Sequence, residues 1–285
     1  MDRVNGELDF GLLGPESVAW KVLSHPFSLV GGLRSLIIQS MHPLAMAGVA
    51  QHSDYKNRQL DRLQRTSYYV IATAFGDTAT ANEAAGRVRR LHSRVKGIDP
   101  ITGGAYRADD PENLLWVHMV EWHSFLAAYR AYALDTLTPD EEDQFIAEGA
   151  PIAGLLGCPD EIVPKSVEQA GAYFESVRPR LCVSQATREA IDSVVNPSLT
   201  DRELLIFQGP IRVLSRGALA IVPHHLRRLA GLDQPQVLDD LTVASLRPAA
   251  AALGLPGLRE LLGFAVAGEG REIGKRARVI QQQAA

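Results

Sequence analysis

Three histidines fall where apolar side chains are expected: His42, His92 and His118. Val88, His92 and Val95 follow i, i+4, i+7 spacing, which puts the imidazole on the packing side of a helix just before Gly97. His118 shares a helical face with Leu114, Trp122, Phe125 and Tyr129, and His42 precedes Pro43 in the most apolar run of the chain. A buried imidazole is either satisfied by a carbonyl or hydroxyl of the core, or is a ligand to a metal or a haem iron. A second group stands on a neighbouring helix, Arg62-Leu63-Gln64-Arg65-Thr66. Arg62 and Thr66 are i, i+4 neighbours, so a cation and a hydroxyl lie side by side. A guanidinium is costly to bury without an anion. A carboxylate-bearing cofactor such as haem would supply that anion and take an imidazole on its iron. The competing reading pairs Arg62 with Asp61 or Glu83, or leaves it at the surface.

Other chemistries fail on residue type. No GxxxxGK[ST], HExxH or GxSxG occurs. Gly268, Gly270 and Gly274 have one residue too many for a dinucleotide fingerprint and follow no strand. A carboxylate-bridged di-iron bundle needs two ExxH pairs, but the residues three after Glu83, Glu112 and Glu121 are Gly86, Leu115 and Ser124. Cys158 and Cys182 form no CxxC, so reduced thiols are expected.

Helices must position these groups. The spacing predicts a long helix over 57–75, with Leu63, Thr66, Val70 and Thr73 on one face, closed by Gly76-Asp77. Thr80 and Glu83 suit a capping box for a helix over 81–96. A turn-rich loop from Asp99 leads to the longest apolar-periodic helix, 111–134. Thr138-Pro139-Asp140-Glu141 starts the next, running to about Leu156, and Thr200 with Glu203 suggests a further capped start. Weaker helical pieces follow at 239–253 and 258–268, and the polar end from Arg271 reads as frayed. No segment alternates convincingly over six residues. The expectation is all-α: a single globular domain of roughly ten to thirteen helices.

The bulk numbers agree with a soluble globular protein. The 285 residues are 46% hydrophobic and 22% charged, with a net charge of −4. There is no basic excess to argue for nucleic acid. The apolar run from Leu36 to Ala50 is too short to span a bilayer, and the start lacks a basic-then-apolar leader. A cytoplasmic protein without a membrane span is expected.

Five stretches, in order, carry a resemblance: QSMHPLAMAGVAQHS, RLQRTSYYVIATAFG, RRLHSRVKG, GGAYRADDPENLLWVHMVEWHSFLAAYRAY and VPHHLRRLAGL. They resemble the successive motifs of the oxygenase domain shared by bacterial latex-clearing proteins and the fungal enzyme that trims the prenyl chain in mycophenolic acid synthesis. The resemblance spans about 14–232, with a helical extension over 233–270 and a tail over 271–285. It implies a haem b pocket between helices and an oxygenase reaction of dioxygen with an apolar, prenyl-type unsaturated substrate. It implies His92, the first histidine after the Arg-x-x-basic-Thr motif, as the iron ligand, with His118 as the competing axial ligand. Arg62 would bind a haem propionate or fix the pocket, and His42 would line it. Arg65 and Thr66 would carry catalysis by hydrogen bonding to the oxygen. The position before the threonine is lysine in the latex-clearing branch; here it is Arg65, whose guanidinium stays protonated and makes a poor iron ligand. Two other classes stay open: a haem-binding protein without turnover, and a cofactor-free binder of an apolar metabolite.

Overall fold

The computed structural model describes residues 3–4, 7–54, 58–197, 208–253 and 267–284. The expected capping pair Thr200 and Glu203, and nearly all of the expected helix over 258–268, lie outside them. The described residues form an all-α domain with two small hairpins. The first hairpin pairs β1 (Arg3–Val4) with β2 (Glu7–Leu8). Helices α1 (Val18–Ser24), α2 (Ser28–Gln39), α3 (Pro43–His52), α4 (Gln59–Phe75) and α5 (Thr78–His92) follow. The helix expected over 81–96 ends at His92, so Val95 falls outside it; the second hairpin pairs β3 (Lys96–Ile98), which starts at the expected end of that helix, with β4 (Ala105–Arg107), in the stretch expected to be turn-rich loop. Then come α6 (Pro111–Tyr132), α7 (Pro139–Glu148), α8 (Ala150–Leu156), α9 (Val167–Val177), α10 (Gln185–Val195), α11 (Gln208–Ala220), α12 (His224–Ala230) and α13 (Gln236–Leu253). A last helix, Arg271–Ala284, closes the chain.

The centre is α6. It starts with Pro111 in its first turn and Asp110 accepting from the Glu112 amide at 3.0 Å. Its buried residues face almost every direction, as a core helix requires. One side meets Trp20, Phe75 and Phe145; another meets Ile37, Met41 and Val222. The helix that packs most extensively on it is α2. Gly31 makes that crossing possible, because a Cβ there would stand 2.9 Å from both the Phe125 Cα and the Ser124 carbonyl oxygen.

Some helix ends differ from the sequence reading for local reasons. Asp77, not Thr80, caps α5: its carboxylate accepts from the Thr80 amide at 2.9 Å, while Glu83 turns to Arg87 at 2.8 Å. Thr138 and Glu141 form a reciprocal capping box, and the helix they start divides at Gly149 into α7 and α8. The C-terminal residues expected to fray instead form a helix. Ile273, Ala277 and Ile280, at i, i+4, i+7, pack on the same cluster as Ile71 of α4. Among the described residues, no helix is long and apolar enough to cross a membrane.

Candidate functional site

A cavity of about 120 Å³, open on one side, lies among α2, α3, α4, α6, α10 and α11. Its walls are mostly aliphatic, with Leu33, Met46, Val49, Leu63 and Ile211 among them. Two of its few polar side chains are Arg62 and Thr66. The i, i+4 pair read from the sequence therefore opens on one apolar space. Thr66 Oγ1 donates to the Arg62 carbonyl at 3.0 Å, so its hydrogen stays within the helix and its lone pairs remain to accept. Arg65, between them in sequence, turns outward: its side chain is 71% exposed and lies 3.9 Å from Asp61.

Helices α4 and α5 are joined by two residues and pack together. His92 and Arg62 each lie roughly 20 Å along their helix from that turn, at 1.5 Å per residue. The two are therefore at the same end of the α4–α5 hairpin. His92 is the last residue of α5, half-buried, with its Nδ1 buried and without a hydrogen-bond partner among the described residues. Burial pulls its pKa below the usual histidine value, against the opposing pull of Asp109. That shift favours the neutral ring, the form that can ligate a metal.

The other two histidines are also buried with one orphaned ring nitrogen each. His118 stacks on Trp122, with ring centroids 5.5 Å apart, and burial pulls its pKa down to about 4. Its Nε2 looks at Gly149, where even an added Cβ would be only 3.0 Å away. No large group fits on that nitrogen without moving α7 and α8. His42 caps the start of α3 and lies 5.5 Å from the Trp116 ring centroid; burial first, then Arg180, lowers it to about 4. None of the three imidazoles is part of the cavity wall itself.

Two groups of possible functional weight were not singled out from sequence. Val117 lines the cavity, and Glu121 stands one turn further along α6. Glu121 makes no hydrogen bond or ion pair among the described residues, and burial pushes its carboxyl up to about 7. The Tyr69 phenol, one turn from Thr66 on α4, is raised by burial and then by this carboxyl, so the two are neighbours across the helices. The i, i+4 relation to Val117 could have marked Glu121, had the cavity been known. The other group is Arg34, buried on α2. It donates to Ser124 Oγ at 2.6 Å and to the Ile221 carbonyl at 2.9 Å, with His123 Nδ1 at 3.4 Å. Burial lowers Arg34 to about 9, leaving it charged at neutral pH, and burial together with this cation lowers His123 to about 3.

Among the described residues, no three His, Cys, Asp or Glu side chains gather where they could hold a bare metal ion. A haem would ask only one axial imidazole of the protein, because the macrocycle supplies most of the iron's ligands. Comparison with curated proteins and with solved structures found no match. Comparison with family models found one, described as "ER-bound oxygenase mpaB/B'/Rubber oxygenase, catalytic domain", over residues 20–254. That match covers most of the chain and the whole of α4, α5 and α6, and the chain belongs to this oxygenase catalytic-domain family.

Proposed function

We propose that this chain is a haem b-dependent oxygenase that uses dioxygen on an apolar, prenyl-type unsaturated substrate. The observation that carries the reading is the opening of both Arg62 and Thr66 on one aliphatic cavity. In this reading His92 is the protein ligand, since burial favours its neutral ring and its Nδ1 has no hydrogen-bond partner among the described residues. Arg62 would hold a propionate carboxylate, which its planar fork suits. Haem, when bound, supplies the activation of dioxygen.

The remaining work belongs to the chain. The aliphatic walls hold the substrate by burial of its apolar surface and keep water from the reacting bond. Thr66 presents lone pairs, because its hydrogen is held by the Arg62 carbonyl. Glu121, with its carboxyl at about 7, can hold or release a proton near neutrality from one turn beyond the cavity wall. Arg65 enters only as an outward cation beside Asp61. His42 and His118 pack on Trp116 and Trp122, outside the cavity wall.

The test is oxygen uptake by the haem-loaded protein in the presence of a polyprenoid. The expected result is uptake that depends on the substrate, with cleaved carbonyl products. Haem binding without any product would leave a non-catalytic haem protein. Failure to bind haem at all would leave a cofactor-free binder of an apolar metabolite.

A further inference from the structure

The end of α5 and the β3–β4 hairpin carry a surface that the cavity chemistry does not use. Leu91 is 60% exposed, Ile98 59% and Ile101 56%. Three aliphatic side chains within eleven residues are thus held out in water. Around them stand Arg90, Arg94 and Lys96, all exposed, whose side chains make no ion pair among the described residues. The acid within this stretch, Asp99, is buried and occupied with the loop: it accepts from the Thr102 amide at 2.8 Å and the Thr102 hydroxyl at 2.6 Å. A chain of net charge −4 therefore presents a locally cationic face here.

The exposure is built in. In the hairpin, Gly97 and Tyr106 face inward while Lys96, Ile98, Ala105 and Arg107 face outward. Lys96 sits directly opposite Arg107, whose guanidinium is taken up by Asp109 at 2.8 Å, so Lys96 is the cation of that pair left to the surface. Side chains of α3 clamp the strand from behind, Gln51 Nε2 donating to the Ile98 carbonyl at 3.0 Å and His52 Nε2 lying 3.2 Å from the Lys96 carbonyl. The Asp99 loop fixes the tip that carries Ile101, accepting from the Ile101 amide at 3.3 Å. A rigid tip that displays aliphatic groups among unpaired cations matches one partner chemistry: a bilayer with anionic headgroups, which takes the aliphatics into its boundary and the cations at its surface.

We propose that this hairpin and the end of α5 dock on an anionic lipid bilayer. Nucleic acid fits less well, because the exposed apolar groups are aliphatic and offer no ring for a base to stack on. The hairpin packs on α3, whose Ala45, Met46 and Val49 line the cavity. Docking would therefore bring a cavity wall next to the phase that holds apolar molecules. That last link rests on the proposed function; the docking does not.

The experiment is flotation of the full chain with vesicles of phosphatidylcholine alone and of phosphatidylcholine mixed with phosphatidylserine. The parent should float with the mixed vesicles, not with the neutral ones, and less at high salt. Arg90→Gln with Arg94→Gln and Lys96→Gln should weaken partition on the order of a hundredfold. Ile98→Ser with Ile101→Ser should weaken it while leaving the circular dichroism spectrum unchanged. Arg212→Gln with Arg216→Gln, which removes exposed cations elsewhere, should leave it unchanged. Absence of flotation, equal flotation with neutral vesicles, or variants that float like the parent would overturn the proposal. Tighter binding to a single-stranded oligonucleotide than to vesicles would do so too, as would vesicle-free self-association abolished by the same variants.

Discussion

Thr66 Oγ1 donates to the carbonyl of Arg62 at 3.0 Å, so the two cavity-lining polar residues of α4 are tied through their own helix. The bond keeps the hydroxyl hydrogen on the helix and leaves the oxygen's lone pairs to accept. Thr66→Ser keeps the oxygen and should keep activity within a fewfold. Thr66→Val keeps the shape and removes the oxygen, and should lower turnover about tenfold with little change in melting temperature. Steady-state oxygen uptake beside a thermal melt separates the two effects.

Gly31 sets the distance between α2 and α6. The atoms a Cβ would meet are Phe125 Cδ1, Phe125 Cα and the Ser124 carbonyl oxygen, and the last two belong to backbone and cannot swing away. Gly31→Ala should therefore destabilise by about 1–3 kcal/mol, as overpacking does. It should also disturb the cavity, since α2 contributes Leu33 and Leu36 to the wall. Urea unfolding measures the first effect and ligand binding the second.

Glu121 predicts a pH signature. Its folded carboxyl, pushed up to about 7 by burial, keeps a proton that the unfolded chain releases. An exposed glutamate titrates at about 4.3. Stability from this group is greatest below that unfolded value and falls as pH rises through about 7. Glu121→Gln removes the penalty: it should be nearly neutral at about pH 5 and stabilising by up to about 3 kcal/mol at about pH 8. Denaturant unfolding of parent and variant at both pH values reads the difference.

Arg227 and Asp239 form an ion pair that joins α12 to α13, each side chain at most 2% exposed. Arg227 Nη1 donates to Asp239 Oδ1 at 2.6 Å, and Gln234 reaches the same carboxylate at 2.6 Å. Asp239→Asn leaves a buried guanidinium without its anion and should cost about 3–5 kcal/mol. Arg227→Met with Asp239→Leu should cost clearly less than the two single changes added together. A double-mutant cycle in urea checks this.

Much of the fold was legible in the residues. The apolar periodicity of α6 marked the core helix, and the 3, 4, 3 spacing of Leu63, Thr66, Val70 and Thr73 marked the inner side of α4. Local competition hid some ends. Asp77 and Thr80 both satisfy the capping rule, and only the folded chain shows which amide each reaches. The β3–β4 hairpin escaped because strands of three residues are too short to show alternation. The C-terminal helix looked polar because its apolar stripe, Ile273, Ala277 and Ile280, is narrow and gains its stability from packing beside α4. In the site, residue types suggested Arg62 and Thr66, and the cavity joins them. The weight of Glu121 arises from the helices packed around it, which one helix's sequence does not contain.

His92 as the protein ligand to haem is tested most directly by the absorption spectrum of haem-loaded protein. The parent should show a Soret band of a histidine-ligated haem. His92→Ala should lose or shift it, and added imidazole should restore it. His118→Ala should keep the band at some cost in stability, since that ring is packed against Trp122 and Gly149. A parent that binds no haem, or a normal band in His92→Ala together with its loss in His118→Ala, would contradict the assignment.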